Sequence, residues 1–335
     1  MALNSSSSAK MAQFSTYGGL EVLELVPMNK PTAKPGQVVV EVMSAGVNHI
    51  EAYIRQGSLR DELPISLPQR QGSDFAGIVV EVGEGITGFK RGSEVVGHSV
   101  MNSHANFVVV PQENLVIKPK TLSWEVAGGL FLAGITALTA LASVNVGKGD
   151  TIVISAAAGG VGSMEAQLAK LNGVNVIGTC GERNFDYLRQ IGIQPVVYGD
   201  GMVERIQKLA PNGVKAYIDN FGDYNASLAA TLGVTAAKFS SSESRKVTEL
   251  QAFRDSTPAD NRLTQMLSTL VGLAADRKLD VLVSGFYPFE KIRDAFDDLE
   301  QRHARGKIVL GMRPVDNSFH GMGTVKAREV HERGA

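Results

Sequence analysis

Short runs of alternating apolar and polar residues fill the first third of the chain. Residues 38–42, rich in valine, predict a strand, and residues 77–82, 94–97 and 105–110 predict three more. Glycine and proline punctuate these runs at close intervals, as turns require. Residues 13–26 are strand-like on either side of a turn at Tyr17-Gly18-Gly19, and residues 31–36 form a turn-rich link. Together they predict a compact β-rich unit.

The texture changes at Ser123, which stands where a helix cap would precede Trp124 and Glu125. Residues 126–146 are weakly polar and predict a buried helix. Strands are then expected at 151–155, 175–178, 196–198 and 216–219, with helices at 161–172, 184–191 and 202–209. Such alternation predicts a doubly wound parallel sheet with helices on both faces. Residues 240–244 are polar and serine-rich and predict a loop. Helical periodicity returns at 263–279 and 288–303, with strands expected at 280–285 and 306–311. Residues 1–10 and 314–335 lack apolar periodicity and are expected as flexible tails.

Between the first strand of the alternating region and its helix lies Ala156-Ala157-Ala158-Gly159-Gly160-Val161-Gly162. Small residues let a pyrophosphate approach the backbone closely, and the following helix offers free N–H groups and a partial positive end. A glycine cluster alone is as often an ordinary turn. Here the strand before it, the helix after it and the alternating units behind point to a dinucleotide. Ala158, Gly159, Gly160, Val161 and Gly162 are the expected phosphate-side contacts, and Thr179 closes the second strand on the ribose side.

NAD-binding sheets usually end that second strand in an acid. This one ends Ile177-Gly178-Thr179-Cys180, and Gly181-Glu182-Arg183 follow. Arg183 can pair with a 2′-phosphate, which favours NADPH. Glu182 leaves NAD open, and Arg183 can also be read as a solvated residue opening a helix.

A chain of 335 residues suits two domains, and 44% hydrophobic against 20% charged residues supplies a sizeable core. A net charge of −1 gives no electrostatic reason to expect nucleic acid or an anionic membrane. Cys180 is the only cysteine, so no internal disulfide and no cysteine-rich metal site can form. It reads as a small packed residue rather than a nucleophile. No apolar run reaches the roughly 18 residues a membrane span needs. Residues 1–10 show no signal-peptide pattern, and the cytoplasm is the expected compartment.

The glycine loop, taken with Gly46-Val47-Asn48, Gly72-Ser73-Asp74-Phe75-Ala76-Gly77 and Gly306-Lys307-Ile308-Val309-Leu310, resembles the zinc-independent quinone oxidoreductase branch of the medium-chain dehydrogenase/reductase superfamily. The resemblance spans residues 13–312. It implies a Rossmann-type dinucleotide domain at 124–258, inserted into a GroES-like catalytic domain built from 11–123 and 259–313. It further implies a cleft at their junction and a homodimer paired through the edge of the nucleotide sheet. Zinc-dependent relatives carry ligands at positions that fall here on Val47-Asn48, Ser73-Asp74 and Leu132-Ala133-Gly134, where no cysteine stands. No metal is therefore expected, and His49, His98 and His104 are read as scattered surface residues.

By the same resemblance, Asn48 and Tyr53 match an asparagine and a tyrosine that can donate hydrogen bonds to a substrate carbonyl. Thr136 matches a threonine near the nicotinamide, and Tyr198 a tyrosine near the adenosine 2′-phosphate. Asn220 would lie close to the ribose or nicotinamide. Each has a plainer reading: a packed aromatic for Tyr53, a turn residue for Asn48, a hydroxyl bonded to its own helix for Thr136, and a sheet-edge cover for Tyr198.

The implied activity is hydride transfer from NADPH to a quinone or an α,β-unsaturated carbonyl. The chain departs from the family pattern at 105–107, 129–131 and 235–243, around the expected pocket. Those departures keep two alternatives open: a biosynthetic enoyl reductase specific to one pathway, and an NADPH-binding protein whose redox chemistry is lost or repurposed. No Ser-His-Asp set or paired-carboxylate signature argues for hydrolysis.

Overall fold

In the computed structural model, which describes residues 9–222, 225–246 and 261–312, eight strands precede residue 120. They are β1 (Lys10–Phe14), β2 (Glu24–Pro27), β3 (Gln37–Val47), β4 (Gln69–Arg70), β5 (Asp74–Val82), β6 (Glu94–His98), β7 (Phe107–Pro111) and β8 (Leu115–Ile117). The alternating region supplies β9 (Thr151–Ile154), β10 (Asn175–Cys180), β11 (Gln194–Val197), β12 (Ala216–Asp219) and β13 (Phe239–Ser241). Near the C-terminal end come β14 (Val283–Pro288) and β15 (Lys307–Gly311).

The expected alternation produces a five-stranded, all-parallel sheet in the order β11-β10-β9-β12-β13. Its central strands are largely apolar because helices cover both faces. Ile152, Val153, Ile154, Tyr217 and Ile218 are all fully buried. Burying each such side chain stabilises the fold by about 1.5–3 kcal/mol. The protein is thus α/β, a Rossmann-type doubly wound sheet joined to a β-rich GroES-like unit.

Residues 240–244 correct an expectation. They do not form a loop: Phe239–Ser241 extends the sheet beside β12, and residues 242–246 are helical. The serines tolerate burial because their hydroxyls find partners. Arg245 Nη1 donates to Ser240 Oγ at 3.1 Å, and Ser241 Oγ accepts from the Ser244 N–H at 3.2 Å.

Ser123 caps the helix Trp124–Gly128, its Oγ accepting from the Val126 N–H at 3.3 Å. The single helix expected over 126–146 is two, Trp124–Gly128 and Phe131–Val144. The second has its own anchor, the Asp74 carboxylate, whose Oδ1 accepts from the Leu132 N–H at 3.0 Å.

β3 positions the cleft. Its valine-rich start was legible, yet it runs on through Ser44, Ala45 and Gly46, residues of poor strand propensity. Tertiary pairing supplies the reason. Gln37–Glu41 pairs with β7, and Ser44–Val47 pairs antiparallel with β15, whose sequence lies about as far away as the chain allows. Strands from both chain ends therefore share one sheet, β14-β15-β3-β5-β6-β8 with β7 beside β3. β15 also carries Lys307 to the end of β3. Just before it, the Gly306 N–H donates to the Ala158 carbonyl at 2.9 Å, which fastens this sheet to the glycine loop.

Lys10, expected in the flexible lead-in, instead opens β1, with its N–H on Asn106 Oδ1 at 2.7 Å. Residues 1–8 and 314–335, the rest of the expected tails apart from Ala9, lie outside the described residues.

Candidate active site

β9 delivers the glycine loop. The Ser155 N–H bonds the Ile218 carbonyl at 2.9 Å and the Ala157 N–H bonds the Thr179 carbonyl at 3.0 Å, so the loop is tied to both neighbouring strands. Ala156 adopts φ 47, a left-handed turn that swings the chain into the helix Gly160–Leu171. The first N–H groups of that helix have no carbonyl partner within it. A Cβ on Gly162 would sit 2.4 Å from the Ala156 carbonyl oxygen, and one on Gly159 would sit 3.2 Å from the same atom. Only glycine lets helix and strand approach this closely. The cradle fits the diphosphate of a dinucleotide.

Thr179 is buried at the end of β10, and beyond it Gly181 to Asn184 turn the corner. Arg183 Nη2 donates to the His303 carbonyl at 2.8 Å. Arg305, which the sequence did not single out, holds the same turn: Nη2 on the Arg183 carbonyl and Nε on Asn184 Oδ1, both at 2.8 Å. Tyr198 is 64% exposed, and its hydroxyl lies 3.6 Å from where a Gly181 Cβ would stand. Two guanidinium groups and a phenol thus meet at one exposed corner.

On the other side of the glycine loop lies a buried ionic network. Lys307 crosses from β15, and its Nζ donates to Asn48 Oδ1 at 2.5 Å and to the Val47 carbonyl at 3.2 Å. Asp74 Oδ2 stands 3.9 Å from the same ammonium. Asn48 begins the helix His49–Gln56, and its Nδ2 donates to Glu51 Oε1 at 3.2 Å while Glu51 Oε2 accepts from the Asn48 N–H at 2.9 Å. Burial raises Glu51 to about 7 and Asp74 to about 6, with Lys307 opposing both shifts. Burial also lowers Lys307, against the pull of the two carboxylates. The Asn48 amide is committed to this network at both ends.

Tyr53 lies one turn further along the same helix and is half-buried. Arg302 Nη2 donates to its hydroxyl at 3.2 Å, and the Lys246 ammonium sits 4.0 Å from its ring centre. His49 stacks beside it with ring centres 6.3 Å apart. Burial lowers His49 to about 4, helped by Arg302, Lys307 and Lys246. Arginine can only donate, so the Tyr53 oxygen accepts, and its own proton meets no acceptor among the described residues.

Asn220 follows β12, but its side chain is also committed. Nδ2 donates to Glu165 Oε2 at 2.6 Å and to the Ser155 carbonyl at 3.2 Å, while Oδ1 accepts from Arg245 Nη2 at 2.6 Å. Glu165 is fully buried in the helix Gly160–Leu171, and burial raises its pKa. Phe221, next in sequence, is 55% exposed under the Arg302 guanidinium. Thr136 is buried in the helix Phe131–Val144.

Of the three histidines expected at the surface, His49 is half-buried and the other two are buried. His98 is buried, stacks on Phe131 at 4.3 Å and shares a hydrogen bond with Thr264 Oγ1 at 3.2 Å. His104 is buried with its Nε2 on the Gly46 carbonyl at 2.9 Å. A neutral imidazole tolerates burial once one ring nitrogen is satisfied, and both partners lie far away in sequence. Among the described residues, no three of His, Cys, Asp and Glu converge as a metal-binding group. Cys180 is buried, and its thiol is pushed up to about 11, which suits a packed residue.

Sequence reading missed Lys307 as a side chain, together with Glu51, Asp74, Glu165, Arg245, Lys246, Arg302 and Arg305. One signal was available. Glu165 is a lone acid between Met164 and Ala166 on a helix that must cover a sheet, and a buried acid requires a cation.

A glycine-loop cradle at the end of a parallel strand defines a dinucleotide-binding protein. Residues 34–145 match the alcohol dehydrogenase GroES-like domain family, and residues 191–310 match the zinc-binding dehydrogenase family. The chain is 30% identical to the NADPH-dependent alkenal/one oxidoreductase, chloroplastic, of Arabidopsis thaliana, across 89% of its own length and 78% of that protein's. It is 29% identical to the chloroplast envelope quinone oxidoreductase homolog of the same plant, covering 89% and 97% of the two chains. The crystal structure of Escherichia coli quinone oxidoreductase complexed with NADPH superposes with a TM-score of 0.76 at 25% identity, covering 90% of this chain and all of that one (100%). The chain belongs to the medium-chain dehydrogenase/reductase superfamily, in its quinone oxidoreductase branch. It is an oxidoreductase for a nicotinamide cofactor. Among the described residues no helix is long and apolar enough to cross a membrane.

Proposed function

We propose that this protein is an NADPH-dependent reductase of quinones or α,β-unsaturated carbonyls that works without zinc. The observation that carries the reading is the Tyr53 hydroxyl, whose oxygen accepts from Arg302 and whose proton has no acceptor among the described residues. When bound, the nicotinamide supplies a hydride to the acceptor, NADPH becoming NADP⁺ as the acceptor also gains one proton.

The protein's own residues do the rest. The N–H groups at Gly160, Val161 and Gly162, with Ala158 and Gly159 beneath them, hold the diphosphate. Arg183, assisted by Arg305 and Tyr198, receives the 2′-phosphate and distinguishes NADPH from NADH. Thr179 and Thr136 flank the ribose and nicotinamide ends. Asn220, held by Glu165 and Arg245, fixes the sheet crevice beneath the cofactor. Asn48 aligns the helix that carries Tyr53, by joining Lys307 to Glu51. Tyr53 donates its Oη proton to the carbonyl oxygen as charge grows there. The positions that hold zinc in zinc-dependent relatives here build the Lys307–Asp74–Asn48 network instead. The outer edge of β13 would pair two copies as a homodimer.

The test follows the nicotinamide absorbance of NADPH while a quinone, then an enone series, is added. Oxidation is expected with NADPH and hardly with NADH, and a zinc chelator should leave the rate unchanged. Tyr53→Phe should lower kcat about a hundredfold without changing NADPH affinity. If bound NADPH is oxidised by no acceptor, the reading fails.

A further inference from the structure

We infer that Arg302 and Lys246 form a carboxylate-recognising pair beside Tyr53, so that the acceptor carries a carboxylate close to its unsaturated carbonyl. This rests on the reductase reading above and narrows it to a substrate class.

The two cations reach one phenol from different parts of the chain. Arg302 comes from the turn after the helix Ile292–Glu300, and Lys246 from the helical turn after β13. Their contacts with Tyr53, at 3.2 Å to the hydroxyl and 4.0 Å to the ring centre, place both charges where a substrate carbonyl would dock. Both also act on His49 at the foot of the same surface, together with Lys307.

The charges at this surface do not balance. Lys307 is matched inside the protein by Asp74 and Glu51. Lys246 has Glu243 at 2.6 Å, a partly exposed pair that an incoming anion can join. Arg302 has no carboxylate within ion-pair distance among the described residues, and its contacts are the Tyr53 hydroxyl and the Phe221 ring face at 5.5 Å. Its guanidinium keeps further N–H donors for a planar, two-oxygen group, the geometry a carboxylate offers.

The backbone at Arg302 adds an independent reason. It adopts φ 56 just past a helix end, with its N–H on the Leu299 carbonyl at 3.0 Å. Glycine is the ordinary occupant of that conformation. A long cationic side chain stands there against local preference and reaches over exposed Phe221, which offers a flat apolar wall for the rest of the acceptor. Backbone strain at a cleft is a mark of function once a geometry accompanies it.

The probes are 4-oxo-2-pentenoate and its methyl ester, compared by kcat/KM with NADPH. Wild-type protein should prefer the acid roughly tenfold or more, the effect of one charge-assisted hydrogen bond. Arg302→Gly suits the backbone and should fold with an unchanged or higher melting temperature. It should collapse the acid-to-ester ratio towards one, mostly through KM for the acid. Arg302→Lys should restore part of the ratio, and Lys246→Met should lower it. Any effect on Tyr53 or on cofactor binding lowers both acceptors alike and cancels in the ratio. A wild-type ratio near one overturns the proposal. So does a ratio unchanged in Arg302→Gly while the NADPH dissociation constant rises, because the cation would then serve the cofactor's phosphates. If neither acceptor is turned over, the reductase reading has failed, and calorimetry still decides the anion site. Binding of 4-oxopentanoate but not its methyl ester, lost in Arg302→Gly, supports it; equal or absent binding of the two sinks it.

Discussion

The Lys307 ammonium meets Asn48 Oδ1 at 2.5 Å, joining residues 259 positions apart in the chain. One contact therefore ties the last strand of the fold to the helix that carries Tyr53. It also balances two buried carboxylates, of which Asp74 is the nearer at 3.9 Å. Removing the cation leaves those charges unpaired in an apolar setting. Lys307→Met should destabilise the protein by about 3 kcal/mol in urea titrations. Asp74→Asn in the same background should recover part of that loss, because the remaining Oδ1 can still accept from the Leu132 N–H. Strict additivity of the two substitutions would show that the pair is not coupled.

The glycine loop makes two neighbouring glycines unequal. A Cβ at Gly162 would meet the Ala156 carbonyl oxygen at 2.4 Å and Ala157 Cα at 2.9 Å, both backbone atoms that cannot step aside. A Cβ at Gly160 would first meet Lys307 Cδ at 2.9 Å, a side-chain methylene, and the Gly306 carbonyl oxygen only at 3.3 Å. Gly162→Ala should cost about 1–3 kcal/mol, as overpacking does, and weaken NADPH binding at least tenfold. Gly160→Ala should cost less in stability. Urea titration and cofactor fluorescence measure the two effects, and equal stability losses would refute the comparison.

Local signals made much of this legible. The helix at Met202–Leu209 and the strand at Ala216–Asp219 begin and end where the sequence pattern put them, because apolar period and breakers agree there. Ser123 announced its helix for the same reason. What stayed hidden depends on partners distant in sequence. Ser240 and Ser241 looked like loop residues until β12 and Arg245 were in place beside them. Resemblance singled out Asn48 and Tyr53, but it did not point to the side chains they touch. No spacing rule connects Asn48 to Lys307, or Tyr53 to Arg302 and Lys246. The buried histidines failed for a similar reason, since the partner that makes burial tolerable lies elsewhere in the chain.

His98 gives the fold a specific weakness in acid. Burial lowers its pKa from about 6.5 to about 4. Thr264 Oγ1 donates to the Glu113 carbonyl at 2.5 Å, so it must accept from His98 Nε2–H, and the ring is neutral. In the unfolded chain the imidazole takes a proton below about pH 6.5, whereas in the folded protein it resists until about pH 4. The unfolded state therefore binds more protons across that window. The stabilising contribution is complete above pH 6.5 and disappears as pH falls towards 4, reaching about 3 kcal/mol at most. His98→Gln keeps a donor for Thr264 but cannot titrate. At pH 7.5 the variant should be the less stable of the two, having lost the ring stack on Phe131 at 4.3 Å. Its disadvantage should shrink steadily between pH 6.5 and 4.5. His49 and His104 titrate in both proteins, so the difference between their urea-derived stabilities isolates His98. A difference that stays constant with pH would mean that His98 does not resist protonation in the folded state.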